Sequence, residues 1–172
     1  MHKIILALVL GIVLLAGCGV HQKTPHPSGR LELPEAGFSY VTPDGWYRTK
    51  LMGIDHIIVS GPADYGIEPN LFVRFVKPAS DKSMKEEMLE IYKQNQNEYE
   101  VEQEEDFATD AGLQGTKITA RHTSKDALPL AKFHYVFQDG DRLIGITATC
   151  ASPRKERYEP IFDAAMKSLQ IE

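Results

Sequence analysis

Cysteine is scarce in this sequence: 172 residues hold two, Cys18 and Cys150. A disulfide framework is excluded if one of the two is otherwise engaged. No uninterrupted apolar run reaches the roughly 20 residues that a membrane-spanning helix needs. Basic residues are outnumbered, 19 Lys and Arg against 24 Asp and Glu, for a net charge of -5. A domain of that sign repels polyanions, so nucleic acid is excluded as a partner. Nor is there a juxtamembrane Lys/Arg cluster to hold anionic headgroups. Gly-x-Ser-x-Gly, a phosphate loop and any internal repeat are also missing. What is present, 42% hydrophobic and 25% charged residues, is ordinary for a folded chain and excludes wholesale disorder.

The chain opens with Lys3, an almost wholly apolar stretch from Ile4 to Leu14, and then Leu15-Ala16-Gly17-Cys18. Small residues before a cut are what a signal peptidase admits, and here they directly precede a cysteine. The tetrad resembles the lipobox of bacterial lipoprotein signals. The resemblance implies diacylglycerol attachment at Cys18, cleavage before it, and acylation of the new amino terminus. Two or three acyl chains anchor stably where one does not. Loss of residues 1–17 removes Lys3 and no acid, leaving 18 basic and 24 acidic side chains, a net of -6. Gly19 stands where an aspartate retains lipoproteins of enterobacteria-like cells at the inner membrane. By resemblance it permits sorting to the periplasmic face of an outer membrane, where the source has one.

From Gly19 to Pro34, Pro, Gly and polar residues dominate, which predicts a tether. Three segments result: a signal peptide over 1–17, a lipidated tether over 18–34, and a single domain over 35–172. His21 and His26 fall in the tether and lack metal-site spacing.

Within the domain, Phe38-Ser39-Tyr40-Val41 alternates and breaks at Thr42-Pro43-Asp44-Gly45, a strand and a turn. Further strands are expected over 46–50, 56–60, 70–76, 98–107, 114–122, 130–138 and 142–150. Ser83 with Glu86 fits a capping box, and Met84, Met88, Ile91 and Tyr92 form one stripe of a helix over 82–96. Asp139-Gly140 is expected to centre a hairpin, pairing Tyr135 with Ile144 and Phe133 with Ile146, with His134 opposite Gly145. By period two, Cys150 shares a core face with Ile144, Ile146 and Ala148 and reads as a buried, inert thiol. Ser152-Pro153 reads as N-cap and first residue of a last helix. Its apolar stripe is Tyr158, Ile161, Phe162, Ala165, Met166 and Leu169, with Pro160 marking a kink or restart. Long antiparallel runs with helices apart from them make the fold class α+β.

Candidates for chemistry are few. Ser152-Pro153-Arg154-Lys155 spells the Ser-x-x-Lys of penicillin-recognising enzymes, without its companion motifs. His56, His122 and His134 come from different strands, without zinc-site spacing. The acidic stretch Glu98 to Asp106 puts Glu98, Glu100, Glu102 and Glu104 on one strand face and Tyr99 and Val101 on the other, taken as the core side. The row reads as a solvated face near a sheet edge, a patch for a basic partner, or a cation site; calcium needs converging oxygens, and a straight row diverges. No catalytic, cofactor-binding or metal residue is assigned, and lipidation at Cys18 is the one site expected.

Phe38-x-Tyr40-x-x-Pro43-Asp44-Gly45-Trp46, Pro69-Asn70 opening a strand, a mid-chain helix, a late hairpin and a terminal Ser168-Leu169 resemble the PsbP-like superfamily over most of residues 36–171. The resemblance implies an α/β/α sandwich around an antiparallel sheet. It implies little about activity, since the fold hosts adaptor and accessory members. Trp46 reads as a core plug, with a ligand-stacking platform as the functional alternative. The sequence therefore leads to an extracytoplasmic lipoprotein held to the membrane through Cys18. Its domain is expected to be a non-enzymatic accessory or binding module of the cell envelope with an envelope protein as partner. An envelope hydrolase with a site built from distant residues, and a small-ligand carrier with an apolar cavity, stay open beside it.

Overall fold

The computed structural model describes residues 23–25, 29–50, 57–78, 86, 99–123 and 128–172. Cys18, the signal segment, His21, His26, His56 and, apart from helical Glu86, the helix expected over 82–96 lie outside the described residues.

Eleven strands and, apart from helical Glu86, one α-helix are described. In chain order they are β1 (Lys23–Pro25), β2 (Arg30–Leu33), β3 (Phe38–Val41), β4 (Tyr47–Lys50), β5 (Ile57–Ser60), β6 (Asn70–Pro78) and β7 (Tyr99–Ala108). There follow β8 (Gln114–His122), β9 (Leu130–Asp139), β10 (Arg142–Ala151), α1 (Lys155–Lys167) and β11 (Gln170–Ile171). One eight-stranded sheet runs β1-β4-β5-β6-β10-β9-β8-β7, and a three-stranded sheet runs β11-β3-β2. Every pairing is antiparallel. The fold class is α+β, as the long alternating runs require.

The hairpin β9–β10 is the centre of the large sheet. Its strands are buried on both faces, so they read as near-continuous apolar runs. Phe133, Tyr135 and Phe137 with Ile144, Ile146, Ala148 and Cys150 point to one side. There they meet Tyr158, Phe162, Ala165 and Met166 of α1 and Leu31, Leu33, Phe38 and Tyr40 of the small sheet in one core. Ile118, Ala120, Val136 and Leu143 are buried on the opposite side.

The hairpin register is displaced from expectation. Arg142 pairs with Asp139, Tyr135 with Ile146, Phe133 with Ala148 and His134 with Thr147. The two-residue loop is Gly140-Asp141, not Asp139-Gly140: Gly140 takes φ +59, the value the first central position of a type II′ turn requires. The Asp139 carboxylate then holds the Arg142 guanidinium across the neck. A displacement of the turn by one residue shifts each partner by two, so every side chain keeps its face.

Two other expectations are corrected. Composition places residues 18–34 in a tether, but β1 pairs with β4 and β2 pairs with β3. Leu31 and Leu33 are buried between exposed Arg30 and Glu32. A four-residue alternation is too short a signal to outweigh the surrounding Pro and Gly. Ser152 is not a helix cap either. Ser152–Arg154 forms a 3-10 turn whose N-cap is Ala151, and the Ser152 hydroxyl is buried without a partner. Pro160 lies inside an unbroken α1.

Candidate functional site

Between the β3–β4 connection and the outer flank of α1 lies an open groove of about 520 Å³. One wall is Val41, Thr42, Pro43 and Asp44, the other Pro160, Ile161, Ala164 and Ala165, with Trp46 between them. The first wall is shaped by a tight turn. Trp46 N–H donates to the Pro43 carbonyl at 3.2 Å, and Gly45 takes φ +76, which is the third position of a type II turn. Asp44 is thereby left at the apex, exposed and with no described ion-pair or hydrogen-bond partner. The second wall is joined to the first at its base. Ser168 Oγ accepts from the Val41 N–H at 2.7 Å and donates to the Ala165 carbonyl at 2.6 Å. Arg30 donates to the Ser168 carbonyl at 3.1 Å and to Ser39 Oγ at 3.2 Å.

Trp46 belongs to both core and groove. It is 5% exposed and meets the Phe162 ring edge-on at 6.0 Å. A methyl group on Gly61 would come within 2.8 Å of the indole. Gly61 is thus the residue that lets the ring seat so deeply. The expected core plug is found, and its remaining edge is groove floor.

Two charge clusters brace α1 against the rest. On one flank, Asp64 accepts from Arg157 at 2.9 Å, Arg154 at 3.1 Å and the Tyr158 hydroxyl at 3.1 Å. These donors outweigh partial desolvation and hold the Asp64 carboxyl below its usual range. The next residue, Tyr65, has φ +53 and lies exposed beneath the Arg154 guanidinium. On the other flank the buried Lys117 of β8 donates to Glu159 at 2.8 Å and to Asp163 Oδ2 at 3.0 Å. Glu105 lies 3.3 Å away. Burial works against the ammonium charge, but Glu159 and Asp163 outweigh it and the Lys117 pKa is raised. The Tyr135 hydroxyl donates to Asp163 Oδ1 at 2.7 Å.

The remaining sequence candidates do not converge. Cys150 is fully buried, and burial pushes its thiol up to about 12, as an inert thiol requires. His134 shares Thr147 Oγ1 at 2.9 Å, and burial, with Lys132 and Arg74, brings it down to about 3. His122 stacks on Tyr99 at 4.5 Å. Lys155 donates to Glu102 at 2.7 Å and leaves Ser152 alone, so the Ser-x-x-Lys spelling assembles no nucleophile and base. Among the described residues no His, Cys, Asp and Glu group could hold a metal ion, and no helix is long and apolar enough to cross a membrane.

The acidic strand departs from its expected pattern. A bulge between Val101 and Gln103 inserts Glu102 and reverses the alternation. Val101 is 39% exposed, and Phe107 is the strand's core residue. The glutamates do not form one free row: Glu100 pairs with Arg121, Glu102 with Lys155, and Glu105 with Lys117.

Comparison with solved structures shows that this architecture recurs. The chain is similar to cyanobacterial PsbP (CyanoP) from Synechocystis sp. PCC 6803, with TM-score 0.62, 17% identity, and 91% of this chain and 96% of that chain covered. The fold is PsbP-like. It is shared by the Saccharomyces cerevisiae Ran-binding protein Mog1p, with TM-score 0.59, 10% identity, and coverage of 88% and 96%. LpqN of Mycobacterium tuberculosis, involved in cell envelope biogenesis, matches with TM-score 0.56, 12% identity, and coverage of 87% and 90%. No protein-family model matches the chain, and no curated protein matches it in sequence. The Pro43-Asp44-Gly45-Trp46 segment that carries the resemblance in sequence is one wall and the floor of the groove. The wall across from it, Pro160 to Ala165, is brought there by the fold and has no signature of its own.

Proposed function

We propose that this chain is a lipoprotein, anchored through Cys18, whose PsbP-like domain is a non-enzymatic binding module of the cell envelope. The groove between Trp46 and α1 is its binding site. The observation that carries the reading is the groove's chemistry. Its walls are mostly apolar side chains, two of them proline, with the Thr42 hydroxyl tied to the Gly29 carbonyl and the Asp44 carboxylate the single titratable group. A lone exposed carboxylate can hold and orient a partner, and the lining sets no His, Cys, Ser or Lys beside it to complete an acid–base or nucleophilic pair. The fold also serves a Ran-binding protein and a protein involved in cell envelope biogenesis. Because β1 begins at Lys23, residues 18–22 span at most about 17 Å. The domain then works close to the membrane, short of the stand-off of about 50 Å that a sixteen-residue tether extended as polyproline II would give. Gly19 favours the outer membrane of a diderm source.

Two measurements test this. Cys18→Ala should abolish incorporation of radioactive palmitate and leave an uncleaved or soluble form. A photo-crosslinking residue placed at Ala164 should form one reproducible adduct with an envelope protein in intact cells, and the same residue at Asp110 should not. Unchanged fatty-acid labelling would overturn the anchor, and equal adducts from both positions would overturn the groove.

A further inference from the structure

The β5–β6 connection carries a two-residue turn at its apex. Asp64 and Ile67 bond reciprocally, N–H to carbonyl, at 2.8 and 3.3 Å. The loop between them is Tyr65-Gly66, with φ of +53 and +86. Both values belong to a type I′ turn, where asparagine before glycine is the favoured pair. Tyr65 is the one residue other than glycine with positive φ among the described residues. A left-handed backbone crowds its Cβ against the following carbonyl oxygen, a strain that asparagine offsets by local hydrogen bonding and tyrosine does not. The ring is 51% exposed, so burial does not offset the strain either. It lies under the Arg154 guanidinium, 5.4 Å from the ring centroid, and an exposed contact of that kind contributes less than the strain costs.

The turn is held firmly from α1. The Asp64 side chain, 17% exposed, takes one N–H from Arg154 Nε at 3.1 Å and one from Arg157 Nη1 at 2.9 Å. Each guanidinium carries five N–H groups, and both arginine side chains stay open to solvent, at 44% and 65%. Among the described residues no second acceptor takes their remaining N–H groups. Two cations against one carboxylate leave one positive charge fixed beside an exposed ring, on a chain of net charge -5. We infer that Tyr65, Arg154 and Arg157 form a docking point for an acidic segment of a protein partner. A glutamate or aspartate carboxylate accepts from the open guanidinium N–H groups, and an apolar side chain next to it lies on the exposed part of the Tyr65 ring. Tyrosine and arginine are the residue types that dominate protein–protein contacts. Asp64 has already fixed both arginines, so little side-chain freedom is left to lose. An anionic membrane is the poorer occupant. It presents negative charge as a sheet and repels the acidic remainder of the domain, whereas one carboxylate meets the local positive charge. The site stands apart from the groove and does not depend on it.

The lipidated mature protein in phosphatidylcholine nanodiscs is followed by NMR at the Nε–H signals of Arg154 and Arg157 and at the Gly66 amide. It is titrated with a capped alanine peptide carrying one Phe-Glu pair, then with the same peptide carrying Phe-Gln. A further sample replaces part of the lipid with phosphatidylglycerol. The glutamate peptide should shift all three signals saturably and bind about tenfold more tightly than the glutamine peptide, the difference that one charge-assisted pair makes. The change of lipid should leave the signals in place. Tyr65→Asn supplies the Asn-Gly pair that the turn favours, so it should raise Tm by about 2–4 °C and weaken the glutamate peptide about tenfold. A ring that serves the fold alone would do the reverse, with Tm lowered and the peptide's affinity unchanged, and that result would overturn the inference. Equal affinity for the two peptides, or no shift with either, would overturn it as well. Shifts that come with phosphatidylglycerol and not with peptide would give the site to the membrane and overturn the protein partner. The crosslink at Ala164 tests the groove separately, so the two readings fail independently.

Discussion

The ammonium of Lys117 lies 2.9 Å from the Asp163 carboxylate, joining β8 to α1 through a contact with almost no solvent on the lysine side. The carboxylate serves a second buried group, the Tyr135 hydroxyl. Asp163→Ala should therefore cost more than Glu159→Ala. It strips Lys117 of one partner and leaves the Tyr135 hydroxyl buried and unpaired, for a loss of about 2–4 kcal/mol. Chemical denaturation of the two variants checks the order. The raised Lys117 pKa gives the sign with pH. Its contribution is complete below the unfolded lysine value and fades as pH rises through the higher folded value. The unaltered protein should lose stability at strongly alkaline pH faster than Lys117→Met does.

The bulge in β7 reassigns the strand's faces. Val101→Asp should be tolerated, with a change of about 0.5 kcal/mol, because the side chain already meets solvent. Phe107→Ala should cost about 3–5 kcal/mol, since it empties a site where the ring meets Tyr135 and Phe137. Thermal melts of both variants check this, and a large effect at Val101 would contradict the bulged register.

His134 is a base held neutral. Its folded pKa of about 3 lies below the usual histidine value, so below about pH 6.5 the unfolded chain binds a proton that the folded chain refuses. Its contribution is present above that pH and falls with acidification, by up to about 1.4 kcal/mol per pH unit. The stability gap between the unaltered protein and His134→Gln, whose amide can still reach Thr147, should narrow by about 1–2 kcal/mol between pH 7 and pH 5. A gap that does not change over that range would mean that the ring is protonated in the fold.

Cys150 should resist thiol reagents in the native protein and react once denaturant is added. Its sulfur is both out of reach and kept protonated. A reagent titration with and without guanidinium measures this, and rapid native labelling would refute the packing of β10 against α1.

Much of the fold was legible because period two survives small errors. Alternation bounds the strands over 38–41, 114–122, 130–138 and 142–150 within a residue, and it puts Cys150 on its observed face whichever of the two turn positions closes the hairpin. What failed were single-residue events. A bulge at Glu102 leaves no mark in composition, and Ser152 offers the same letters to a cap and to a 3-10 turn. The groove was half legible: Pro43 to Trp46 stood out as a turn with an aromatic, but its other wall depends on how α1 lies against the sheets. The Lys117 cluster has a faint signal in the sequence. Lys117 is in phase with Thr119 on β8, and Glu159 and Asp163 are four apart on one face of the last helix.

The small sheet has a mechanical corollary. β3 lies between β2 and β11, and both neighbours run antiparallel to it. Arg30 enters beside Val41, while Ile171 leaves beside Phe38, at the other end of the same strand. Tension applied between these two points pulls β2 and β11 in opposite directions along β3. The ladders are then loaded in shear, all their bonds together, instead of being unzipped one at a time. A load that enters at Arg30 and leaves at Ile171 meets the small sheet in its strongest geometry.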